Sequence, residues 1–175
     1  MKQSLKNRFL AMAIVVLPLL LAAVSPALAQ RSSAPNKEVP VRDILKLKGT
    51  VISEAKSARS AGELKLTGYR VEEVRLPQSL TVEVKGRQEV VDRAYRVTVQ
   101  GGQFPVRAMP AVIWIDDQIV GLGVENETLT EVTAITFDGS LIRQGGVVSI
   151  SYGEDKNARV KFSQQLQVKR EGGNQ

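Results

Sequence analysis

The 175-residue chain carries 24 Lys and Arg against 18 Asp and Glu, a formal net charge of +6, and has neither Cys nor His. Those two absences exclude Ser-His-Asp and Cys-His triads, thiol redox chemistry, stapling disulfides and the ordinary His/Cys zinc site. Much of the charge sits at the N-terminus: without Lys2, Lys6 and Arg8, 24 cations become 21 against the same 18 acids, a net of +3. No Lys/Arg run of the kind a nucleic-acid-binding arm needs then remains.

Residues 1–29 have the three parts of a secretory signal peptide. The three cations precede an apolar stretch from Phe9 to Val24 that only Pro18 interrupts, and Ala27-Leu28-Ala29 supplies the small-x-small site. Cleavage after Ala29 would leave Gln30 first and a soluble protein in the periplasm or outside the cell, with no membrane span after cleavage. A chain from residue 30 onward is long enough to bury about two-thirds of its unfolded surface without disulfides. Residues 30–40, "QRSSAPNKEVP", are polar with two prolines and read as a flexible arm, and residues 169–175 read as a flexible tail.

Residues 41–68 are the least regular part. "DILKLKGTVI" is compatible with a strand pair. "SEAKSARSAGEL" lacks the apolar period of a helix and reads as a loop with at most one helical turn. This segment is expected to be an extension packing on the domain that follows.

From residue 69 to 168 the dominant period is two. Leu80, Val82 and Val84 alternate with polar neighbours, as do Tyr95, Val97 and Val99; Val148, Ile150 and Tyr152; and Ala158, Val160 and Phe162. Turn signals at Asp138-Gly139, Gly145-Gly146 and Gly153 separate the runs. The pattern predicts an all-β, antiparallel β-sandwich of about seven to nine strands.

The order of features over 69–168 resembles the IPT/TIG branch of immunoglobulin-like (E-set) sandwiches. Its marks are "YRVEEVRLP" from Tyr69, "VTVQGGQF" at Val97–Phe104, "VIWIDDQIVG" at Val112–Gly121, "LTEVTAITFD" at Leu129–Asp138 and "GGVVSISYG" at Gly145–Gly153. The charged insertion "KGRQEVVDRA" and the linker "PVRAMP" at Pro105–Pro110 depart from the pattern, and 41–68 lies outside it. The resemblance implies a non-catalytic binding or spacer module.

Individual motifs give little chemistry. Ser53 and Lys56 have Ser-x-x-Lys spacing, but the companion elements of enzymes that use it are absent. Asp116 and Asp117 follow Trp114 closely. Adjacent carboxylates do not make a glycosidase pair, and Asp is a favoured turn residue, so a hairpin is the better reading. A calcium site from Asp116, Asp117, Glu125 and Asn126 would lack regular loop spacing. "NET" at Asn126–Thr128 matches a glycosylation acceptor and supports a surface loop.

Trp114 is either a sugar-stacking platform or a buried strand residue. The all-apolar run Val112 to Ile115 favours burial on a central strand, with cover for its second face from 41–68, from "PVRAMP" or from a partner. The expectation is an exported binding module for a protein or cell-envelope partner, with Asp116, Asp117, Glu125 and Asn126 as contact residues. No catalytic residue, cofactor or metal ligand is assigned. The alternatives are a carbohydrate-binding or carbohydrate-active domain and a structural envelope component.

Overall fold

The computed structural model describes residues 40–61 and 64–168. The expected signal peptide at 1–29, the arm at 30–40 apart from Pro40, and the tail at 169–175 lie outside the described residues. No helix among the described residues is long and apolar enough to cross a membrane.

Among the described residues a short helix α1 (Val41–Lys46) is followed by nine strands: β1 (Gly49–Ala61), β2 (Leu64–Val84), β3 (Arg87–Gly101), β4 (Ala111–Ile115), β5 (Gln118–Leu122), β6 (Val124–Glu125), β7 (Glu131–Thr136), β8 (Gly146–Tyr152) and β9 (Val160–Leu166). Helix α2 (Gly139–Gln144) lies between β7 and β8, and a single 3-10 turn (Lys156–Ala158) precedes β9. Five strands form one sheet in the order β1-β2-β3-β7-β6, and four form the other in the order β5-β4-β8-β9. Every pairing is antiparallel. The fold is the expected antiparallel β-sandwich.

The two sheets are interlocked by connectivity. β3 pairs with β7 in one sheet, while their successors β4 and β8 pair in the other, so the chain crosses between the sheets side by side at both places. Between them lies the main core. Tyr69, Val71, Val97, Val99, Val132 and Ala134 of the larger sheet meet Ile113, Ile115, Val148, Ile150, Phe162 and Leu166 of the smaller. Tyr69 and Phe162 meet edge to face, with ring centroids 5.3 Å apart.

Residues 53–61 are not the expected loop. They are most of β1, a 13-residue edge strand that pairs with β2 from Gly49↔Val74 to Ala61↔Leu64. Ser, Ala, Lys and Glu are poor strand formers, but at a sheet edge the neighbouring strand's unpaired backbone decides the matter. Two register shifts, between Val51 and Ser53 and between Lys56 and Arg59, erase the period of two from this sequence. β2 accordingly starts before residue 69 and runs through it.

"KGRQEVVDRA" is likewise no insertion. Lys85 and Gly86 adopt φ +51° and +75°, the left-handed pair of a two-residue hairpin turn, and Arg87 onward is the return arm of a long β2–β3 hairpin. Pro77, which has no N–H to give the ladder, falls in the shift between Arg75 and Leu80 where the hairpin bends.

A second, smaller core lies on the outward face of the larger sheet. Ile44 of α1 is fully buried against Val74, Leu76, Leu80 and Ala94, with Leu47, Val82, Ile135 and Phe137 around them. A six-residue helix cannot hold itself. Arg96 supplies the clamp, donating from Nη1 to the Leu45 carbonyl at 2.6 Å while Nη2 pairs with Glu72 at 3.0 Å. Residues 41–46 are therefore a helix rather than part of a strand pair, and they cover the larger sheet.

Candidate functional site

β4 is buried at all five positions because β5 and β8 flank it and both of its faces are covered. Ile113 and Ile115 point into the main core, which leaves Val112 and Trp114 on the outward face. Trp114 is 1% exposed, the burial expected of it, but it lies outside the inter-sheet core.

Its cover is a residue that sequence reasoning passed over. Arg159 places its guanidinium 5.1 Å from the centre of the Trp114 ring, with a side chain only 6% exposed. Nε donates to the Lys156 carbonyl at 2.7 Å, Nη1 to the Asp116 carbonyl, and Nη2 pairs with Asp117 at 2.7 Å. The indole N–H donates to Ser151 Oγ at 2.9 Å, and that hydroxyl donates to the Gly153 carbonyl at 2.7 Å. The loop from Gly153 to Arg159 thus closes the outer face of the smaller sheet. The linker's Arg107 does not share in this cover: it stacks 5.0 Å from the ring centre of Tyr152, which packs toward the inter-sheet core.

Asp116 and Asp117 form the two-residue turn between β4 and β5, with Asp116 at φ +50°. The hairpin reading holds, and Asp116 does more than tolerate the turn. Its Oδ1 accepts the Val147 N–H at 2.8 Å, and its own N–H donates to the Val147 carbonyl at 2.9 Å. Gly146 makes this docking possible: at φ +133°, a Cβ there would lie 2.2 Å from Asp116 Oδ2. Asp117 is solvent-exposed, and the hydrogen bond from Arg159, then its charge, holds the carboxyl below the usual carboxylate range.

Glu125 ends β6 and is exposed, whereas Asn126 organises the turn into β7. Asn126 Oδ1 accepts the N–H groups of Thr130 and Glu131 at 2.9 and 3.1 Å, and Nδ2 donates to Thr130 Oγ1 at 3.2 Å. The amide of "NET" is therefore committed to its own turn.

The structure does not gather these four residues into one place. Asp116 and Asp117 precede β5 and Glu125 and Asn126 follow it, so a strand of five residues, about 15 Å, separates the two pairs. A calcium site made of all four is not formed. Among the described residues no group of three or more His, Cys, Asp or Glu converges to hold a metal ion. Ser53 and Lys56 face opposite sides of the larger sheet: Ser53 pairs with core-facing Val71, and Lys56 with Gly68, two residues from outward-facing Arg70.

Along β5 lies an open groove of about 640 Å3, lined among others by Ile119, Ile135, Phe137, Glu83 and Lys85. The β2–β3 turn and the start of α2 adjoin each other in its wall. Lys85 Nζ pairs with Asp138 at 2.8 Å and donates to Ser140 Oγ at 3.2 Å, while Asp138 Oδ1 caps α2 by accepting the Leu141 N–H at 3.0 Å. Burial opposes ionisation of Asp138, but the hydrogen bonds from Lys85, Ser140 and Leu141 outweigh it and bring the carboxyl down to about 2. Of the groove only Asp117 was singled out in advance as a contact residue. Its other walls come from segments far apart in sequence, and no local pattern marks them. Comparison with protein-family models, curated proteins and solved structures finds no match for this chain.

Proposed function

We propose that the chain is an exported, non-catalytic binding module of immunoglobulin-like, IPT/TIG-like type, acting in the periplasm or outside the cell on a protein or cell-envelope partner. The observation that carries this reading is the open groove along β5. At about 640 Å3 it sits on two interlocked sheets, a rigid frame of the kind that presents recognition surfaces. The chemistry within reach supports binding over catalysis: Asp138 is held ionised by Lys85 and its helix cap, and Asp117 by Arg159.

Trp114 favours the same choice over the sugar-binding alternative. Its ring lies beneath Arg159, so a sugar could stack on it only after the guanidinium had left. The test is affinity capture from envelope extracts with the tagged full chain, in the presence and absence of excess untagged chain. A retained partner that the untagged chain displaces is expected. Capture that does not compete, or oligosaccharide binding that shifts Trp114 emission, refutes the proposal.

A further inference from the structure

We propose that the end of the sandwich where β1 begins and β9 has run out binds an anionic amphiphile, a phosphate head on a single apolar chain. The site shares no lining residue with the groove along β5, so the proposal goes beyond the binding reading above and does not depend on it.

A hollow of about 570 Å3 opens there, within the size range of small-molecule sites. Its buried lining is Tyr95 and Ile142, joined by half-buried Ile52 and by Val168 just past β9. Its exposed lining includes Arg93 of β3 and Arg143 in the last turn of α2. An apolar floor beside exposed guanidinium groups is complementary to a ligand that has both an apolar body and a negative head.

The cations exceed what the fold uses. Arg93 pairs with Glu73 at 2.9 Å and approaches Asp92 at 3.7 Å, so one guanidinium engages both acids. Arg75 stands directly opposite Arg93 in the β2–β3 ladder, which sets two cations on the same face of the sheet, an arrangement that disfavours folding. Neither Arg75 nor Arg143 has an ion pair among the described residues. Arg143 is held in place all the same: its Nη1 and the Tyr95 hydroxyl each lie 3.0 Å from where a Cβ on Gly139 would stand, so the glycine leaves the guanidinium room beside the phenol. A carboxylate head matches one guanidinium fork, whereas a phosphate, with more acceptor oxygens and up to two charges, matches the two that lack a partner. The chain of the ligand then covers Ile52, Ile142 and Val168.

The test uses the full chain and decyl phosphate, kept below the concentration at which it forms micelles, with binding read by titration calorimetry. Decyltrimethylammonium, inorganic phosphate and vesicles of phosphatidylglycerol are the comparison arms. Decyl phosphate should bind at least about tenfold tighter than inorganic phosphate, because the chain buries apolar surface. Hydrogen exchange should slow at Thr50–Ile52 and at Ile142 and Arg143. Arg143→Ala, at an exposed position, should weaken decyl phosphate about tenfold, and Arg75→Ala, at another, should act in the same direction. Uptake by the apolar stretch Phe9–Val24 would not respond to either change. Equal binding by wild type and Arg143→Ala, equal binding of the two decyl amphiphiles, protection elsewhere, or binding to vesicles without binding to monomeric decyl phosphate would each overturn the proposal. Competable capture of a partner is read independently of these results, so the two proposals fail separately.

Discussion

Replacing Arg159 with Ala removes the lid over Trp114 and should uncover the ring without touching the inter-sheet core. A cation stacked on indole in a site shielded from water contributes about 1 to 2 kcal/mol. Hydrogen bonds from a charged donor to the Lys156 and Asp116 carbonyls contribute about 1 kcal/mol each, after allowing for water that takes their place. The pair with exposed Asp117 adds little, because solvent screens it. The net loss should be about 2 to 3 kcal/mol, or a fall in Tm of about 6 to 15 °C for a domain of this size. Since Trp114 is the only Trp in the chain, its emission reports on this site alone. The wild type should emit in the blue-shifted range of a buried indole, and Arg159→Ala should shift to the red while still native. Asp117→Ala should leave the emission unchanged. An unshifted emission maximum in Arg159→Ala, with Tm within about 2 °C of wild type, would refute the stacking account.

Asp116→Ala should cost about 1 to 2 kcal/mol, because it frees the Val147 N–H and places Ala at φ +50°; urea unfolding measures it. Gly146→Ala should cost more, about 2 kcal/mol or above, since the added Cβ meets the Asp116 carboxylate. Ile44→Ala should cost about 2 to 4 kcal/mol and release protection from exchange in α1 and the bent part of the β2–β3 hairpin before the main core responds. Asp138 has a folded pKa of about 2, below the roughly 3.9 of an unfolded Asp, so its contribution is complete above pH 4 and disappears as pH falls through 2. Its size is about 2 kcal/mol, and Asp138→Asn should remove that part of the acid sensitivity in a Tm series from pH 6 to 2.

Where strands bury one face, as at Tyr95, Val97 and Val99, or both, as at Val112 to Ile115, apolar spacing carries the fold, because burial itself imposes the pattern. It fails where pairing alone holds a strand. Among the described side chains of "SEAKSARSAGEL" only Ala55 and the terminal Leu64 are buried, so β1 is held chiefly by the backbone of β2, which no local reading of β1 can detect. Arg159 was missed for the opposite reason. In "ARVKF" it occupies an outward position, which usually means solvent; here the outward face carries an indole, and the flat guanidinium lies on it while its charge stays hydrogen-bonded. The same contrast explains the candidate site. Asp116, Asp117, Glu125 and Asn126 stood out because acids and amides at turns are visible one by one, and two of them prove to be fasteners, Asp116 tying its turn to β8 and Asn126 closing its own. What the four have in common is the strand they bracket. Nothing in Gln, Ile, Val, Gly and Leu announces that strand's place: it ends the smaller sheet, packs Gly121 on the backbone of β7 and passes through Gly123 into β6 of the larger sheet, an arrangement set by partners distant in sequence.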